Sequence, residues 1–142
     1  MRTIAARALV EGEAEGLIAA WATPLSFWGG FDVSSGCVID RSHPAFGADI
    51  SGRILAMPSG RGSSSASSVL AEAIRRGTAP AAIILTIPDP IITVGAIVAR
   101  KLYGKACPIV VCDPVDFARL AEGQRVRVIA REAGSAIEAI SR

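Results

Sequence analysis

Residues 54–77 constrain the fold most. Four apolar residues, Ile54, Leu55, Ala56 and Met57, read as a buried strand that ends at Pro58. A glycine- and serine-rich loop follows and leads into a helix of about three turns. Ala66, Val69, Leu70, Ala73 and Ile74 fall on one face of that helix, at three- and four-residue spacing. Gly77 stops it, with Arg75 and Arg76 in the last turn, where cations suit the helix dipole. Residues 81–86 form a second buried strand, so the unit is strand, glycine loop, helix, strand.

Around this unit the pattern predicts strands over 3–10 and 17–21, joined by a turn at 11–16 that holds two glycines and three carboxylates. An aromatic, glycine-rich loop spans 23–32, and a short strand covers 37–39 before a polar turn at 40–44. Residues 92–102 read as a helix, 108–111 as a strand and 115–121 as a short helix. Residues 124–131 alternate Val126 and Val128 with Arg125, Arg127 and Arg131, the pattern of a half-exposed strand. Residues 132–142 read as a loose tail. The expected architecture is α/β, a layered β/β/α domain with some parallel pairing, formed by residues 1–142 as one unit.

Composition narrows the function classes. Hydrophobic residues make up 51% and charged residues 20%, which argues against disorder. A net charge of +2 with scattered arginines gives no basic stripe for nucleic acid. The most hydrophobic stretch, 79–99, contains Pro80, Pro88, Asp89 and Pro90, which would break a spanning helix. Residues 1–10 lack a continuous apolar core of the kind that marks a secretory signal. The expectation is a soluble cytoplasmic chain with neither membrane nor nucleic-acid partners. Cys37, Cys107 and Cys112, with a single histidine, make a self-contained metal site improbable, and the cysteines read as small packed hydrophobes.

The glycine loop carries the chemistry. PSGRGSSS at 58–65 places Gly60 and Gly62 where positive φ and close approach of a ligand are expected. The unsatisfied N–H groups of a helix start point outward, with the positive end of the dipole behind them. Ser63 or Ser64 is a natural N-cap, yet six serines within 59–68 exceed what a cap requires. The loop fits neither a Walker A motif nor Gly-x-Gly-x-x-Gly nor Gly-x-Ser-x-Gly. An anion cradle lined by hydroxyls fits better than a serine hydrolase with His43 as base.

PLSFWGGFD at 24–32, the Ile39-Asp40 to His43-Pro44 turn, PSGRGSSS at 58–65, and DPI at 89–91 with GAIVA at 95–99 together resemble the aconitase X swivel-domain family. The resemblance runs from about residue 9 to about 128. It implies a swivelling β/β/α fold and a larger partner chain that holds an iron–sulfur cluster and most substrate contacts. No cofactor is expected on this chain alone. It also implies that Ser63 removes a proton next to a carboxylate. Arg61, Gly62, Ser64 and Ser65 are the candidate substrate-binding residues of the loop, the arginine that clamps the carboxylate being Arg61 or one from the partner chain. Mitochondrial-type aconitases carry arginine after the paired serines. Here Ser65 stands there, which argues against citrate or isocitrate.

The implied activity is dehydration of a small hydroxy acid, either cis-3-hydroxy-L-proline or phosphomevalonate. Few lysines beside many arginines and alanines suggest a GC-rich bacterial genome and favour the former. A non-catalytic anion-binding module and a purely structural subunit are the competing classes. Asp32 and His43 are candidates for the site or an interface, Trp28 and Phe27 are candidate interface anchors, and Asp89 is a candidate helix cap.

Overall fold

The structure, a computed structural model, describes residues 3–140; residues 1, 2, 141 and 142, the ends of the expected 1–142 unit, lie outside it. Seven strands close into a barrel in the order β1-β5-β4-β3-β2-β6-β7. They are β1 (Thr3–Val10), β2 (Gly12–Ala20), β3 (Ile54–Ala56), β4 (Ala82–Leu85), β5 (Ile109–Val111), β6 (Arg125–Ala130) and β7 (Ser135–Ala139). Two helices of useful length, α2 (Ala66–Arg76) and α3 (Pro90–Tyr103), cross over between β3, β4 and β5. The remaining helical pieces are single turns, α1 (Phe27–Gly30) and α4 (Pro114–Phe117).

The mixed α/β content is as expected, and β2, β3, β4 and β5 pair in parallel. Their burial explains the unbroken apolar runs. Along β3 and into the next residue, Ile54 and Ala56 point to the barrel interior, while Leu55 and Met57 pack beneath the helices. In β4, Ala82 and Ile84 face inward, and Ile83 and Leu85 outward. A strand covered on both faces has no polar side, so period-two alternation disappears from its sequence.

Two expectations fail together. The tail expected over 132–142 is not loose where it is described, because 135–139 form β7 and pair antiparallel with both β1 and β6; 141 and 142 lie outside the described residues. That double pairing turns an open layered sheet into a closed barrel. Likewise the turn expected at 11–16 is absorbed into β2, whose residues 12–17 pair with β6. Glu13 and Glu15 face solvent there and form ion pairs with Arg131, Arg125 and Arg127. Residues 37–39 contribute isolated bridges rather than a strand. None of the described helices is long and apolar enough to cross a membrane.

Ile137 sits at the centre of β7 and is 2% exposed, inside the barrel core. Ile137→Ala should therefore cost about 2–5 kcal/mol in a denaturant titration of the purified chain. An unchanged midpoint would show that β7 is not part of the cooperative unit.

Candidate active site

Parallel pairing sends the loops after β2, β3 and β4 to the same end of the barrel. The loop after β3 carries the serines. Its start is pinned at Pro58, whose carbonyl accepts from Thr86 N, Ile87 N and Thr86 Oγ1 at 3.0, 3.1 and 2.9 Å. The loop after β2 is drawn to the same end, with Leu25 N 3.4 Å from Met57 Sδ.

The two glycines of the serine loop serve different purposes. Gly62 has φ +102°, a conformation that favours glycine, and a Cβ there would collide with Ser26. Gly60 does not take positive φ, contrary to expectation. Its lack of a side chain admits Asp89, whose Oδ2 occupies the space a Cβ would need. Asp89 cannot swing away freely. Its Oδ1 caps α3 by accepting from Ile91 N and Ile92 N at 2.9 and 3.2 Å. The loop is thus held between Ser26 on one side and Asp89 on the other.

Ser63 does not act as a conventional cap. The N-cap position of α2 falls on Ser65, which makes no side-chain cap bond. Two residues earlier, Ser63 Oγ accepts from Ser65 N at 3.0 Å, and Ser63 O accepts from Ala66 N at 3.0 Å. Ser67 and Ser68 turn their hydroxyls back onto the carbonyls of Ser64 and Ser65, at 3.0 and 2.9 Å. Two of the six serines are therefore occupied locally. Among the described residues, no N–H group from Ser59 to Ser64 donates to another group of the chain. These donors, the start of α2 and the exposed Arg61 make a surface suited to an anion.

Arg61 also lies close enough to Asp40 to help hold its carboxyl below the usual range, although hydrogen bonds from Ser42 are the main cause. Asp40, Ser26 and Asp89 were not singled out from the sequence as neighbours of the loop. The signals that could have found them are the proline pair around Asp89 and the position of Ser26 within PLSFWGGFD.

Two further sequence candidates are occupied by structural hydrogen bonds of their own. His43 is buried, with Nε2 donating to Thr23 O at 3.1 Å and Nδ1 accepting from Ala45 N at 3.0 Å. Its ring packs edge-on to Trp21 at 4.7 Å. With both nitrogens engaged, His43 staples the loop after β2 to the 40–46 turn and offers no free base. Asp32 folds its own turn, accepting from Ser34 N and Ser35 Oγ at 3.3 and 2.7 Å; these bonds lower its pKa, with Arg76 adding a smaller effect. Arg76 ends α2, and an eleven-residue helix is about 16 Å long, so Asp32 lies near the opposite end from Ser63. Trp28 is exposed and Phe27 is buried in the core, which separates the two anchor candidates.

The cysteines do not fit a metal cluster. Cys107 packs under the helices with its thiol 3.4 Å from Pro80 O, whereas Cys112 lies in the barrel core. Burial pushes their thiols up, to about 12 and about 11. Among the described residues, no three His, Cys, Asp or Glu side chains are grouped to hold a metal ion.

The aconitase X swivel-domain model matches residues 3–137. The chain belongs to that family. It is 48% identical to the cis-3-hydroxy-L-proline dehydratase of Pseudomonas aeruginosa over 85% of its length, but spans only 22% of that relative. It is 40% identical to the phosphomevalonate dehydratase small subunit of Thermococcus onnurineus, covering 89% of this chain and 91% of that one. The crystal structure of Thermococcus kodakaraensis aconitase X in its holo form superposes with a TM-score of 0.86 at 33% identity, covering 99% of this swivel domain and 100% of the matched chain.

Two measurements check this geometry. Gly60→Ala should destabilise the chain, and should cost less in an Asp89→Ala background than in the wild type. Strict additivity in that double-mutant cycle would mean the two residues do not touch. At pH 8 the folded chain should take up alkylating reagent at half-buried Cys37 while Cys107 and Cys112 stay unlabelled until denaturation. Rapid native labelling at Cys112 would contradict its burial.

Proposed function

We propose that this chain is the small, serine-bearing subunit of a two-chain hydro-lyase that dehydrates cis-3-hydroxy-L-proline, with the rest of the site on a larger polypeptide. The observation that carries the proposal is the state of Ser63 Oγ. It accepts a backbone N–H at 3.0 Å on a solvent-facing glycine loop, beside a run of unused N–H donors. A hydrogen bond received by the hydroxyl oxygen favours its deprotonated form.

In this mechanism Ser63 takes the hydrogen from the carbon that bears the substrate carboxylate. The C–H electrons form the new double bond as the hydroxyl leaves the neighbouring carbon. The abstracted proton and the departing hydroxide together make up the water lost. Arg61, the N–H groups of Gly62 and Ser64 and the hydroxyl of Ser65 hold the carboxylate, whose charge grows as the C–H bond breaks. Among the described residues no three His, Cys, Asp or Glu side chains are grouped to hold a metal, which supports placing any iron–sulfur cluster on the larger polypeptide.

The identity to the P. aeruginosa relative supports hydroxyproline as substrate. Phosphomevalonate is the second candidate, favoured by the near end-to-end match with a separate small subunit. We further propose that the barrel and its helices swing as one body against the larger chain, the swivelling β/β/α behaviour of the resemblance. The two cores share β3 and β4, which supports rigid-body motion. Three unpaired cysteines suit a reducing compartment and support a cytoplasmic enzyme.

The test is co-expression with the large chain of the same genome that is similar to the part of the P. aeruginosa relative outside the matched segment. Both acids would be assayed with wild type and Ser63→Ala. The variant should assemble normally and lose turnover by about 1,000-fold or more. Retained activity would remove Ser63 from the chemistry.

A further inference from the structure

Helix α3 is apolar on more of its circumference than this chain covers. Its inner face, with Ile92, Gly95, Ala96 and Ala99, is buried. Its outer face exposes Val94, Ile97, Val98 and Leu102 at 51%, 40%, 38% and 68%. No charged residue occurs between 90 and 99. The one hydroxyl in that span, on Thr93, is turned back onto Asp89 O at 2.7 Å. A helix apolar on both sides is normally buried on both sides.

The outer face does not lie flat. Gly95 brings α3 against the backbone of α2 at Ser67, where a Cβ would collide with the Ser67 carbonyl. Beside this close crossing runs a groove of about 290 Å³, walled by Ala71, Val94, Val98 and Tyr103, with Ser67 and Ser68 at one end and Glu72, paired with Arg75, on its α2 rim. That end is on the first turn of α2, four residues beyond Ser63 in the chain.

From these features we infer that the α2–α3 groove and the outer face of α3 are the seat of the larger polypeptide, which inserts apolar side chains there. This inference rests on the proposed two-chain function and names where the second chain binds. The relatives supply the reason for choosing that occupant. In P. aeruginosa the matched segment is 22% of one longer polypeptide, whereas in T. onnurineus it makes up 91% of a separate small subunit. A domain that occurs both fused and free must hold the remainder by surface contact. An apolar helix face of this kind supplies that contact without a linker.

The experiment compares the wild-type chain, Val94→Glu/Val98→Glu, the milder Val94→Ala/Val98→Ala and Ser63→Ala. Each is co-expressed with the large chain and also purified alone. Alone, all should melt and sediment as wild type. With the large chain, the glutamate variant should bind about 30-fold more weakly or worse, and the alanine variant should be intermediate. Ser63→Ala should bind as wild type while inactive. Should the glutamates unfold the chain, the alanine variant alone decides.

If both valine variants bind and turn over as wild type, the inference is overturned while the role of Ser63 stands. The inference also falls if the isolated wild-type chain is a dimer that Val94→Glu/Val98→Glu dissociates without affecting large-chain binding. A second copy would then cover the face. Failure of the wild-type chain to bind the large chain at all would overturn the two-chain function, and this seat with it.

Discussion

Strands β3 and β4 are covered on both faces, and most of the molecule is arranged to satisfy that condition. Each carries alternate side chains into two separate cores, one inside the barrel and one beneath α2 and α3. Fully burying an aliphatic side chain is worth about 1.5–3 kcal/mol. A handful of such residues therefore ties the helices to one side of these strands and the remaining barrel wall to the other. Neither core can be loosened without affecting the other, because Ile83 and Ile84 are neighbours in the chain but belong to different cores.

Parallel pairing then decides where chemistry can sit. Because β2, β3 and β4 run the same way, the segments that follow them emerge together, bringing Ser26, the serine loop and Asp89 into contact. The carboxyl ends of parallel strands are the usual place for ligands in such sheets. Here the strand ends also supply unused backbone donors. Three hydrogen bonds onto Pro58 O, the Asp89 cap and the Ser26–Gly62 contact hold a loop that has few contacts of its own.

What the sequence could disclose follows from the range of each interaction. The strand–loop–helix unit, the stop at Gly77, the cap at Asp89 and the half-exposed β6 depend on neighbours within a few residues, and all were legible. Barrel closure was not, because it needs β7 to pair with β1, more than a hundred residues earlier; the β6–β7 hairpin is local, but its short, weakly apolar second strand did not stand out. Glu13 and Glu15 looked like turn residues, since their arginine partners are equally distant in sequence. The chemistry-bearing loop stood out by composition. The buried role of His43 did not, because only tertiary packing satisfies both ring nitrogens.

A serine hydroxyl is a poor base in water, and that fact bears on why the proposed reaction would be divided between two polypeptides. Two unit charges 4 Å apart interact by about 1 kcal/mol in bulk water and about 4 kcal/mol at an effective dielectric of 20. On an open loop, one backbone donor, a helix start and Arg61 therefore do little to favour an alkoxide. Once a second surface excludes water, the same groups act several times more strongly with no change in their own geometry. Closure would then create the base as well as bring it to the substrate, and an isolated small chain would carry Ser63 as an ordinary neutral alcohol. Chemistry by this loop away from its substrate would be suppressed by the solvent that bathes it.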